Sequence, residues 1–419
     1  MQTTSLDKYD QVIGATYVRR PIVLVIGMVL AMFWLFTPDR MNAGQTQPTF
    51  LESDAEYSYG QAMRFSLEAT SPAPVRKVTL FIQAPDLPNR LVAEIDAGLQ
   101  ENIAVDRVVD LTQLRLAPFT TVTYWWELET ESGEIIQSDP ETLQYVDDQF
   151  TWRTIEQEGI QVNWSGKDDE VGQATMTAVL NALSTIEAVF PTVRPEPLRI
   201  YVYPSAADLR AGLRLTGRDW VGAHAHPELG VILVAAEEPT NGSTALARSV
   251  AHELAHLYVY EAADSGYESV PLWLDEGIAS MIEGAADNPI YEARLERAVT
   301  GGETFSFAEL CFSMPTDEDG ALLAYAQSAA FVAYLQDEYG NQSIQRLIGA
   351  IADGADCQSA PLRVLDKSLA ELNEEWLGHA MPKSLVERMW LNGRVWLIVI
   401  AAGFLLVGLL ARVPRGKSR

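Results

Sequence analysis

The chain is 419 residues long, with 57 Asp and Glu against 30 Lys and Arg, a formal net charge of −27 and 48% hydrophobic residues. An acid excess of that size repels phosphate backbones, which excludes nucleic-acid binding as a main function. Only two cysteines are present, Cys311 and Cys357, and their wide spacing excludes a clustered cysteine metal site.

Residues 1–20 read as a short N-terminus ending in Arg19 and Arg20. The apolar run that follows predicts a membrane-spanning helix over 21–37. Bulky Phe33, Trp34 and Phe36 do not suit a signal-peptide cleavage site, so an uncleaved anchor is expected. The texture then changes. Short β-rich runs at 62–69, 75–83, 91–94, 121–129 and 134–138 are separated by Pro, Gly, Asn and Asp, and 48–147 therefore predicts an all-β sandwich of the immunoglobulin or fibronectin type. Such a module would serve as a spacer or present substrate.

Residues 150–385 predict an α+β domain that opens with a helix over 170–190, a strand over 198–203, a helix over 206–215 and a strand near Val231. A helix over 245–263 follows and contains His252, Glu253 and His256, spelling His-Glu-x-x-His. Residues four apart share a helix face, so both imidazoles can meet one zinc ion while Glu253, about 100° around, leans toward its open side as general base. A catalytic zinc needs a third protein ligand. Nineteen residues separate His256 from Glu276, room for a turn and the start of an antiparallel helix with Pro271 in its first turn. Glu276 is the expected third ligand, and Asp275, pointing elsewhere, a partner for a ligating histidine. Glu261 and Glu283 are the other candidates.

The strings HELAH and PLWLDEGIAS at this separation resemble the gluzincin metallopeptidases, and within them the peptidase MA family. The resemblance continues through 324–328, 331–340 and Trp376 and ends near Ala380. It implies a zincin-like fold with one zinc per chain on His252, His256 and Glu276, and with Glu253 as base. It also implies a donor for the developing oxyanion, for which Tyr325 is expected; His224 and His226, ahead of the strand near Val231, are its rivals. Two departures stand out. No Gly-x-Met-Glu-Asn motif is present, which turns the expectation from aminopeptidase to endopeptidase, and Ser280 stands where several relatives carry an aspartate that orients a ligating histidine.

The last apolar run predicts a second membrane helix over 395–411, followed by a basic tail over 412–419. Basic flanks put both termini in the cytoplasm and the acidic middle outside, where a Cys311–Cys357 disulfide is expected. The sequence thus predicts an extracytoplasmic zinc peptidase held in the cell membrane, with a peptide or protein substrate and membrane lipid as its partners. An idle zincin-fold protein that binds a partner or peptide is the alternative.

Overall fold

Polar and apolar residues alternate along the first hairpins, and the alternation decides which face is covered. The computed structural model describes residues 48–112, 114, 116–166, 169–213, 222–236 and 242–381, and these described residues belong to one compact unit. Six strands come first: β1 (Thr49–Ser58), β2 (Ala62–Gln83), β3 (Leu91–Asp110), β4 (Thr120–Thr130), β5 (Ile135–Gln137) and β6 (Glu141–Tyr145). They form one antiparallel sheet. β2 pairs with β1 over its first half, with β4 over its second, and with β3 along both.

The core positions of β2 are odd-numbered from Met63 to Val75 and even-numbered from Val78 to Ile82. That parity switch marks a bulge, and the register shifts between Thr70 and Val75 and again before Lys77. Pro72 and Pro74 occupy the interrupted stretch, since neither can donate to a ladder. The strand bends there without ending, and β3 follows it, so the sheet curls on itself. All six strands belong to this one sheet, whose two halves share a core in which the Phe65 ring lies 5.0 Å from that of Tyr124.

The architecture expected from the sequence, a β-sandwich before an α+β zincin-like domain with a membrane helix at each end, is therefore corrected to a mixed α/β chain with a curled antiparallel sheet. Among the described residues no helix is long and apolar enough to cross a membrane. The runs 21–37 and 395–411, with 1–20 and 412–419, lie outside the described residues.

A second sheet of five strands follows, built from β7 (Trp152–Gln157), β8 (Ile160–Ser165), β9 (Leu198–Tyr203), β10 (Ala223–His226) and β11 (Val231–Ala235), with helices α1 (Glu170–Val189) and α2 (Ala206–Leu213) between strands. Its order is β10-β11-β9-β8-β7, parallel across β11, β9 and β8 and antiparallel at both edges. Both faces are covered, which is why β11 reads as an unbroken apolar run. Ile200, Val202, Ile232 and Val234 face the helical core, while Tyr201, Tyr203, Val231 and Leu233 face a smaller cluster that includes Phe119. Gly230 makes the turn into β11 with φ +62°, and a Cβ there would lie 1.9 Å from Pro197 O, so no other residue fits.

The remaining helices are α3 (Gly242–Ala263), α4 (Leu272–Ile282), α5 (Pro289–Gly301), α6 (Glu318–Tyr339), α7 (Gln342–Ala352), α8 (Ser359–Leu365) and α9 (Leu369–Ala380). Side chains of α3 such as Val250, Leu254 and Leu257 are buried in the helical core with α1 residues Val179 and Ile186. Cys311 and Cys357 are bonded, with Cα atoms 6.1 Å apart. The start of α4 rests on that bridge: Leu272 N donates to Cys311 O at 3.2 Å, and Trp273 Nε1 donates to Cys357 Sγ at 3.4 Å.

Candidate metal centre

His252, Glu253 and His256 lie on α3, and a short 3-10 segment, Asp264–Ser269, turns the chain into α4. Pro271 caps α4 in an extended conformation, which places Asp275 and Glu276 in and just after its first turn. The return brings three donors together. His252, His256 and Glu276 offer ligand atoms all within 4.8 Å of one another. Glu276 Oε2 stands 3.3 Å from His252 Nε2 and 3.8 Å from His256 Nε2. It is buried and has no hydrogen-bond partner.

The opposite ring nitrogens are both occupied. His256 Nδ1 meets Asp275 Oδ1 at 2.9 Å, and Asp275 accepts from the Tyr267 hydroxyl at 3.1 Å. His252 Nδ1 meets Glu283 Oε2 at 3.1 Å. A carboxylate on Nδ1 keeps the proton there and leaves the Nε2 lone pair free to face a cation. Glu253 is buried, and its carboxylate accepts a hydrogen bond from the backbone N–H of Ala225 on β10.

Electrostatics follow from this crowding of carboxylates. Burial alone would discharge His252, but Glu276 and Glu283 outweigh it and hold the pKa well above the ordinary histidine value. At His256 burial is likewise opposed, by Asp275 and Glu276, and the pKa reaches about 9. Glu276 shifts the other way: burial raises it, yet the two imidazoles pull it below the usual range. Burial pushes Glu253 up against the pull of both histidines.

These residues line a cleft of about 460 Å³ that is also walled by Ala223, His224, Tyr291 and Tyr325. The Tyr325 ring stands edge-on to His252 with centroids 6.4 Å apart. Of the rival histidines, His224 lines the cleft, whereas His226 packs against the His224 ring at 4.7 Å and pairs with Glu228 at 3.4 Å. Glu261 is exposed and lines a separate cavity with Pro197 and Tyr260. Sequence reasoning weighed Glu283 only as a metal ligand and missed Tyr267 and Tyr291 altogether. The spacing of Glu283 from Glu276, a full two helical turns, was the available signal for a shared face.

No curated protein matches the chain. Among solved structures, OgpA from Akkermansia muciniphila is 16% identical with a TM-score of 0.21, over 25% of this chain and 28% of that one. The chain thus spans less than a third of the length of that relative. An aminopeptidase N family protein from Idiomarina loihiensis is 13% identical with a TM-score of 0.40, over 78% of this chain and 76% of that one. Residues 175–381, the stretch that contains the three donor residues, Glu253 and Tyr325, match the family model of the Peptidase MA superfamily.

Proposed function

We propose that the chain is a zinc-dependent metallopeptidase that cleaves internal peptide bonds. One observation carries the reading: Glu276 Oε2, buried without a hydrogen-bond partner, faces the Nε2 atoms of two histidines whose Nδ1 atoms are already held by carboxylates. Ligand atoms that share a tetrahedral zinc at about 2.0–2.2 Å stand roughly 3.3–3.6 Å apart; the Glu276 oxygen lies 3.3 and 3.8 Å from the two imidazole nitrogens, and two imidazoles with one carboxylate are a zinc donor set. When bound, zinc supplies a Lewis acid that makes water a competent nucleophile near neutral pH.

The chain's own residues would do the rest. Glu253 takes a proton from the attacking water and delivers it to the leaving amine, with Ala225 N–H holding the carboxylate in place. Tyr325 offers its hydroxyl to the oxygen on which negative charge develops. Endopeptidase selectivity is supported by the state of the cleft's carboxylates. Asp275 and Glu283 are each committed to a histidine Nδ1, and the sequence carries no Gly-x-Met-Glu-Asn motif to grip a free amino terminus. A location outside the cytoplasm belongs to the same proposal and is supported by the Cys311–Cys357 bond, since such bonds persist in oxidising compartments.

Zinc content and cleavage of a mixed peptide library test this reading. Wild type is expected to hold zinc at one per chain and to cleave. Glu253→Gln is expected to keep zinc and fold but lose hydrolysis by several orders of magnitude, because an amide accepts no proton. Tyr325→Phe should lose about a hundredfold, or ~3 kcal/mol, with zinc retained. Zinc-loaded wild type that cleaves no peptide would favour a binding protein instead.

A further inference from the structure

The two histidines that face Glu276 are held by different parts of the chain. His256 is gripped by Asp275, the neighbour of Glu276 on α4, and Asp275 is fixed in turn by Tyr267. Ser280, also on α4, is fully buried and its hydroxyl has no hydrogen-bond partner. It does no orienting. His252 Nδ1 reaches instead to Glu283 Oε2 at 3.1 Å.

Glu283 is the residue that ends α4, seven positions after Glu276. Seven residues return to within about 20° of the same helix face, so both carboxylates point at the His252 ring, one toward each nitrogen. Helix formation does not account for this placement, because an anion at a helix C-terminus opposes the macrodipole. The contact with His252 does. Beyond Glu283 the chain turns through Ala285–Asp287 into α5, which presents Tyr291 to the same cleft. Burial, and then the charge and hydrogen bonding of Glu283, push the Tyr291 hydroxyl up, so the phenol faces this carboxylate in its neutral, donating form.

We propose that Glu283 is the positioning residue for His252, held by Tyr291 of α5, so that the metal site is set by two helices beyond α3 and not by α4 alone. The inference rests on the metal reading above. Its chemistry is that of a carboxylate on the far nitrogen of a ligand: it fixes the tautomer, the ring angle and the basicity of Nε2. Tyr291, which lines the same cleft and hydrogen-bonds this carboxylate from α5, supports it.

The test is zinc affinity of the full chain, measured by chelator competition in wild type, Glu283→Ala, Glu283→Gln, Tyr291→Phe and the double variant Glu283→Ala/Tyr291→Phe. Glu283→Ala is expected to weaken zinc binding about 10–100-fold. Glu283→Gln, which keeps an oxygen acceptor for Nδ1–H, should fall between it and wild type. Tyr291→Phe should weaken binding by less than Glu283→Ala, and should add nothing once Glu283 is alanine, since its effect passes through that carboxylate. Cobalt in place of zinc gives a second readout, with its visible bands displaced in all three single variants and unchanged in the exposed control Glu296→Gln. If Glu283→Ala does not fold, Glu283→Gln and Tyr291→Phe decide the matter. Wild-type affinity in the Glu283 variants overturns the proposal while leaving the metal reading intact, whereas a wild type that binds no zinc defeats both.

Discussion

The nitrogen of a ligating histidine that does not face the metal decides where the other one points, and here carboxylates decide it for both rings. They also set the competition between protons and metal. In the metal-free protein His256 titrates at about 9 and His252 well above its ordinary value, because Asp275, Glu276 and Glu283 favour the imidazolium. The folded pKa exceeds the unfolded value of roughly 6.5. The stability these charges contribute is therefore fully present below about pH 6.5 and is lost as pH rises through about 9. Zinc at the proposed site would need the neutral rings, so its binding would release protons and strengthen as pH rises. The gap in Tm between zinc-loaded and chelated protein is expected to widen from pH 6 to pH 9. A gap that stays constant across that range would count against His252 and His256 as ligands.

At the scale of elements, the approach of α6 to α4 decides whether Tyr325 reaches the cleft. Gly277, next to Glu276, makes that approach possible: a Cβ there would lie 2.7 Å from Val332 Cγ2 and 2.8 Å from Ser328 O on α6. Gly277→Ala must push α6 away, at a cost of about 1–3 kcal/mol, and should lower Tm. Gly349 on α7 is the contrasting case, since a Cβ there meets nothing within 4 Å; Gly349→Ala should be neutral or stabilise by up to ~1 kcal/mol. Thermal unfolding of the two variants separates packing from propensity. Helix spacing made the cluster of His252, His256 and Glu276 legible, because periodicity and one return turn bring those donors within reach. The contribution of α5 was not legible. Tyr291 reaches the site through the break at Ala285–Asp287, and no local pattern announces which way a chain leaves such a break.

For the whole molecule, the strand runs at 62–69 and 75–83 looked like two strands because proline ordinarily ends one. The bulge instead carries β2 through Pro72 and Pro74 as a single bent strand of 22 residues, and a pattern read residue by residue cannot distinguish a bend from an end. The curled sheet meets the second sheet through an aromatic junction. Phe119, with φ +68° and fully buried, stacks on Tyr201 at 3.4 Å between centroids, and Trp152 packs edge-on to both. Tyr203 donates to the buried Asp147 at 3.1 Å, and Tyr59 donates to Gly212 O on α2 at 2.9 Å. Tyr201 belongs to β9, which pairs with β11, which in turn holds the cleft-lining strand β10. The two sheets should therefore unfold together. Phe119→Ala removes the ring at the centre of this junction and is expected to cost about 3–5 kcal/mol. If the junction couples the sheets, tryptophan fluorescence and far-ultraviolet circular dichroism will report a single transition shifted by the same amount in denaturant. A variant in which the first sheet melts early while the cleft keeps its fold would show that the N-terminal strands are not a structural support for the site.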